Sequence, residues 1–198
     1  MLLRAILILM LTVGAARAQE AAVPATPAVP ATPAASAMMK AMPSKRLKAL
    51  QSSPDGFLKD AAVVIYATGH DGRVDAAGLE DLIALRRAEA RAASMRPFLA
   101  ADMNNDGAIA TAEVGLYAAS LTARRRGEVL WGFDLADADG DTSVTMQELR
   151  SFADTAAMDA LDDVDAAGLR SLMLFDQDKD GAVTMDEVVV AVSALSKK

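Results

Sequence analysis

The stretch Asp176-Gln177-Asp178-Lys179-Asp180-Gly181-Ala182-Val183-Thr184-Met185-Asp186-Glu187 decides how the rest of this chain is read. Three aspartates stand at alternate positions, a glycine follows, a β-branched residue comes two places later, and a glutamate closes the stretch. The frame recurs upstream: segments starting at Ala67, Asp102 and Asp137 align with it, the starts lying 35, 35 and 39 residues apart. The eighth position is Val74, Ile109, Val144 or Val183, and the thirteenth is Leu79, Val114, Leu149 or Val188. Four residues before each segment stand Val63, Phe98, Phe133 and Leu172. Agreement at apolar positions, outside the acids, separates a structural repeat from a chance run of aspartates.

Helix-forming sequence flanks each copy. Ser53-Pro54 is an N-cap followed by a proline suited to a first turn. Asp75 and Asp165 each precede Ala-Ala-Gly-Leu and are expected to cap the helices that follow. The shared Val-Asp-Ala-Ala-Gly-Leu string does not make a fifth unit, because only seven residues separate Gly168 from Asp176. Arg124-Arg125-Arg126-Gly127 reads as a helix end, with cations at the negative pole and glycine as the cap. It is expected to divide the chain into two halves.

The order Asp-x-[Asp/Asn]-x-[Asp/Asn]-Gly, five residues, then Glu resembles the calcium loop of the EF-hand superfamily. The resemblance extends from about Pro54 to the C-terminus. It implies an all-α fold of four helix–loop–helix units in two pairs, hands one with two and three with four, with short β contacts between paired loops. The pairs would occupy 54–126 and 127–198, a layout similar to that of calmodulin-like proteins. Ca²⁺ is a hard cation that takes six to eight oxygens. By the resemblance, the last loop offers Asp176, Asp178, Asp180, the Ala182 carbonyl, Thr184 and Glu187. The second offers Asp102, Asn104, Asp106, the Ala108 carbonyl and Glu113. Ala110 brings no ligand to the ninth position, so weaker binding than in the last loop is expected. The third offers Asp137, Asp139, Asp141, the Ser143 carbonyl, Thr145 and Glu148, but Thr142 stands where the turn glycine belongs and Gly140 comes two residues early. A β-branched residue in a left-handed turn costs on the order of 1–3 kcal/mol, so reduced affinity is expected there. The first loop, with Ala67, Gly69 and Gly78 at ligand positions, is degenerate. Two to three calcium ions are therefore expected. His70 is the only histidine and no cysteine exists to complete another metal site.

Working outward to the N-terminus, Arg4 precedes an apolar run, and Gly14-Ala15-Ala16-Arg17-Ala18 ends in a small-x-small pattern. Residues 1–18 read as a secretory signal peptide, the run being short for a spanning helix. The expected location is exported, periplasmic or extracellular, with no transmembrane span in the mature chain. The chain is similar in this respect to exported bacterial EF-hand proteins. Residues 19–43 form an Ala/Pro-rich linker in which Ala-Val-Pro-Ala-Thr-Pro repeats; its prolines favour extended polyproline II. It is either a semi-rigid spacer or a disordered leader.

Twenty basic residues face 27 acidic ones, a net charge of −7. Loss of Arg4 and Arg17 with the leader would leave −9. That balance excludes an ordinary nucleic-acid binder and favours cations. The sequence holds no nucleophile–base pair, histidine cluster or phosphate-binding glycine loop, so an enzyme is not expected. The remaining alternatives are a calcium-responsive sensor or adaptor with a protein partner, and a calcium buffer or calcium-stabilised structural module.

Overall fold

The computed structural model describes residues 32–196. The leader at 1–18 and linker residues 19–31 lie outside the described residues. Helices α1 (Thr32–Ala41), α2 (Ser44–Ser52) and α3 (Pro54–Thr68) lead to strand β1 (Arg73–Asp75). Next come α4 (Ala76–Ala101), β2 (Ala108–Ala110), α5 (Thr111–Ala119), α6 (Ala123–Ala136) and β3 (Ser143–Thr145). The chain ends with α7 (Met146–Ala160), α8 (Asp163–Arg170), a 3₁₀ segment (Ser171–Phe175), β4 (Ala182–Thr184) and α9 (Met185–Ser196). The described residues are thus mostly helical, with two short antiparallel strand pairs, as an all-α fold requires.

The pairing differs from the expected one. Strand β2 pairs with β3, placing Ile109 opposite Val144, and β1 pairs with β4, placing Val74 opposite Val183. Loop two joins loop three, and loop one joins loop four. The cause is α4, a single helix of 26 residues that both leaves the first loop and enters the second. At about 1.5 Å per residue it holds those loops roughly 39 Å apart, too far to pair. The chain turns after α5, bringing the third loop beside the second, and α7 returns along α4 toward the first. Arg87 on α4 fastens this return by donating to the Leu161 carbonyl at 3.0 Å and to Asp163 at 2.9 Å.

Two cores follow from this nesting. The inner one joins Phe98, Ile109 and Val114 to Phe133, Val144 and Leu149. The outer one joins Phe57, Ile65, Val74 and Leu79 to Leu172, Phe175, Val183 and Val188. The divisions 54–126 and 127–198 therefore cut through both cores. The apolar frame of the repeat is buried at the eighth and thirteenth positions of all four copies. It fails once: Val63 is exposed, and Val64 is buried in its place.

The expected linker also ends earlier than residue 43. Thr32-Pro33-Ala34-Ala35 opens α1, where proline is tolerated in the first turn and alanine favours helix. Met42 and Leu50 are buried in the outer core, with Met38 and Leu47 packed against it. The Arg46 guanidinium lies 4.7 Å from the Phe57 ring centroid, and burial lowers its pKa. Lys45 forms an ion pair with Asp165.

Ser53 caps α3 as expected, its hydroxyl accepting from the Gly56 N–H at 3.2 Å, with Pro54 the first residue. Asp75 caps α4, accepting from the Gly78 N–H at 2.8 Å. Asp165 does not cap. Helix α8 begins two residues earlier, and Asp162 accepts from the Asp165 N–H at 2.6 Å. The arginine cluster begins a helix rather than ending one, since Arg124–Arg126 lie in the first turn of α6. Arg126 nonetheless serves a negative helix pole, that of the preceding helix: it donates to the carbonyls of Ala118, Ala119 and Leu121.

Candidate metal centre

The three acidic loops share one construction. Each closing glutamate bridges the loop with both carboxylate oxygens. Glu187 Oε1 accepts from the Gln177 N–H at 2.9 Å, and Oε2 accepts from the Thr184 N–H and hydroxyl, both at 2.8 Å. Glu148 repeats this with the Ala138 N–H at 3.0 Å and with Thr145 at 2.8 Å from N–H and 2.7 Å from hydroxyl. Glu113 accepts from Met103 at 3.2 Å and from Ala110 at 3.0 Å, and Ala110 has no hydroxyl to add. The hydrogen bonds from Thr145, its N–H first and its hydroxyl second, hold Glu148 below the usual carboxylate pKa.

The leading acids are aimed by backbone N–H groups of their own turn. Asp102 accepts from Asp106 and Gly107, Asp137 from Gly140, Asp141 and Thr142, and Asp176 from Gly181. Asn104, Asp139 and Asp178 each accept from the N–H two residues on. Such side-chain turns leave the remaining oxygen lone pairs facing inward. In the third and fourth loops, oxygens of Asp137, Asp139 and Asp141, and of Asp176, Asp178 and Asp180, lie within 4.8 Å of one another. In the second loop Asp102 and Asn104 both accept from the Asp106 N–H, and Asn104 Nδ2 donates to Asp106 at 2.8 Å. Ala108, Ser143 and Ala182, whose carbonyls the resemblance names as ligands, each begin a short strand.

The group that fits here is a divalent cation with oxygen preference. In the fourth loop Asp176 Oδ1 is buried and has no hydrogen-bond partner among the described residues. A buried carboxylate oxygen without a partner is costly, and a calcium ion, which Asp176, Asp178, Asp180 and Glu187 would hold, would satisfy it.

The third loop explains its displaced glycine. In the second and fourth loops, two positions are left-handed: the fourth, Asn105 and Lys179, and the sixth, Gly107 and Gly181. In the third loop Gly140 takes the fourth position at φ +74° and Thr142 takes the sixth at φ +73°. Thr142 therefore carries the expected strain. Its carbonyl also accepts from the Thr111 N–H at 3.2 Å and hydroxyl at 2.8 Å, tying the second and third loops together beyond the strands. Thr142→Gly should relieve roughly 1–3 kcal/mol of backbone strain, offset by about 0.5–1 kcal/mol of extra unfolded-state entropy. The urea midpoint is expected to rise, and a midpoint at or below wild type would refute the strain.

The first loop has a different shape. Asp71 and Gly72 are both left-handed, at φ +55° and +74°, and the Arg73 N–H donates to the His70 carbonyl at 3.1 Å. This is a primed hairpin turn. A Cβ on Gly69 would stand 2.1 Å from the Arg73 carbonyl oxygen, so only glycine fits that closure. The Asp71-Gly72 dipeptide carried the hairpin signal in the sequence. The sequence reading missed a second feature: Arg73 reaches across the β1–β4 pair and forms an ion pair with Asp180 of the fourth loop. Together with the Ala182 N–H, the larger influence, it holds Asp180 below the usual carboxylate pKa.

This geometry is that of a helical protein with acidic loops, two of which gather three aspartates each. Residues 169–189, which span the fourth loop, match the family model described as EF hand. The match supports the EF-hand superfamily and suggests calcium binding. No curated protein matches, and no solved structure matches. Among the described residues, no helix is long and apolar enough to cross a membrane.

Proposed function

We propose that this chain is an exported, non-enzymatic calcium-binding protein of four EF-hand units, three of which hold an ion. The observation that carries the proposal is the orphaned Asp176 Oδ1 within a convergent triad of aspartates. The two-ended glutamate clasp recurs in the third loop and, without the hydroxyl contact, in the second, which extends it to Glu148 and Glu113. Export rests on the charged, apolar and small-residue pattern of residues 1–18.

The inner lobe supports a sensor or adaptor role. A cavity of about 520 Å³ opens there, lined among others by Phe98, Tyr117, Leu121, Val129 and Phe152. Trp131 and Leu135, both exposed, lie on α6 as well. A calcium-driven change in helix angle would widen such a groove for a protein partner. The outer lobe favours the second role, a calcium-stabilised module, because α1 and α2 already cover its core.

A calorimetric calcium titration tests both. The expected result is three ions, two binding cooperatively through the β2–β3 pair and the Thr111–Thr142 bonds, and one binding independently. A sensor will also gain binding of a hydrophobic dye with calcium. Calcium uptake without a dye response would leave the structural module, and three equivalent independent sites would contradict the inner-pair coupling.

A further inference from the structure

We propose that Arg73 of the degenerate first hand is a built-in counter-cation for the fourth loop, one that weakens calcium binding at that site. The inference deepens the calcium reading of the fourth loop and rests on it.

The β1–β4 register places Arg73 directly opposite Thr184, the ninth residue of that loop. From there its guanidinium meets Asp180 Oδ2, while Asp180 Oδ1 accepts from the Ala182 N–H at 2.9 Å. Asp180 therefore has both oxygens engaged. Asp178 and Asp176 have no such cationic partner among the described ion pairs. A divalent ion arriving at the triad must share Asp180 with the guanidinium or displace it. Either event costs binding, by competition for the oxygen or by repulsion between like charges a few ångströms apart.

The surroundings give Arg73 room to yield. A cavity of about 580 Å³ lies between the first and fourth loops, with Arg73, Asp75, Asp81 and Asp180 on its walls. It exists because the first loop has collapsed into a tight hairpin and carries no acid at its first, third or twelfth position. Arg73 is half exposed, so the side chain can swing into this space without disturbing the core. The remnant hand thus supplies two things to its partner: strand pairing through Val74, and a movable positive charge. The second and third loops pair with each other and, among the described residues, form no ion pair of this kind.

The test is calcium calorimetry on the full chain, comparing wild type, Arg73→Gln and Arg73→Lys. Arg73→Gln should tighten the independent site about three- to tenfold, an effect that shrinks in high salt because exposed charges are screened. Arg73→Lys, which keeps the charge, should stay near wild type. The two cooperative sites should not move. In a Glu187→Gln background, Arg73→Gln should change nothing, which ties the effect to the fourth loop. An independent site that is unchanged or weaker in Arg73→Gln overturns the proposal while leaving the calcium reading intact. Absence of any calcium uptake by the fourth loop in wild type overturns both.

Discussion

Glu187→Gln will remove one calcium ion from the stoichiometry and leave the other two unchanged. Glu187 is the residue through which the fourth loop closes, bonding the Gln177 and Thr184 N–H groups with separate oxygens. Glutamine keeps the shape but loses one anionic acceptor, and the amide cannot accept at both ends. Loop affinity is tuned over orders of magnitude by ligand charge and rigidity, so a loss of at least about 100-fold is expected at this site. The nested pairing makes the outcome specific. The fourth loop faces the degenerate first loop, so no second ion depends on it. Glu113→Gln and Glu148→Gln should behave differently. Each should weaken its neighbour too, because β2 and β3 are bonded to one another and Thr111 bonds Thr142. Calorimetry of the three variants distinguishes the cases, and a two-ion loss from Glu187→Gln would contradict the outer pairing.

Leu50→Ala will destabilise the protein although it lies before the first hand. Leu50 is 2 % exposed and packs in the outer core with Phe57 and Phe175, whose rings are 5.6 Å apart. Replacing a buried leucine by alanine costs about 2–5 kcal/mol through lost burial and the cavity left behind. The urea midpoint should fall accordingly at constant slope. A domain that began at residue 54 would tolerate the change within about 0.5 kcal/mol, as surface substitutions do. The measurement thus decides whether α2 belongs to the fold.

The sequence made the loops legible because their chemistry is local. Acids at alternate positions, a turn residue and a closing glutamate lie within twelve residues, and the structure draws together the three leading aspartates of the third loop and of the fourth. Strand residues at the eighth position were equally plain, since a β-branched residue recurs in every copy. The left-handed strain at Thr142 could be anticipated from residue type alone. Pairing was not legible in the same way. Whether 75–102 makes one helix or two depends on a single missing break, and the resemblance suggested two. The signal was present: no glycine or proline interrupts Leu79 to Met95, whereas the short Ser120-Leu121-Thr122 segment separates α5 from α6. Pro97 is the one breaker, and near the end of α4 it is absorbed. The N-terminal helices were hidden by composition. Proline and alanine suggested an extended spacer, but Met38, Met42, Leu47 and Leu50 follow a helical spacing that needed the outer core to give it meaning. The reach of Arg73 to Asp180 joins residues far apart in sequence, and no local pattern announces it.

Counting bound ions by native mass spectrometry in calcium tests the central claim most directly, comparing the intact protein with the Glu113→Gln/Glu148→Gln/Glu187→Gln variant. Three calcium ions on the wild type and none retained by the triple variant is the expected result. No ion on the wild type, or the same number on both, would contradict the assignment of these loops as calcium sites.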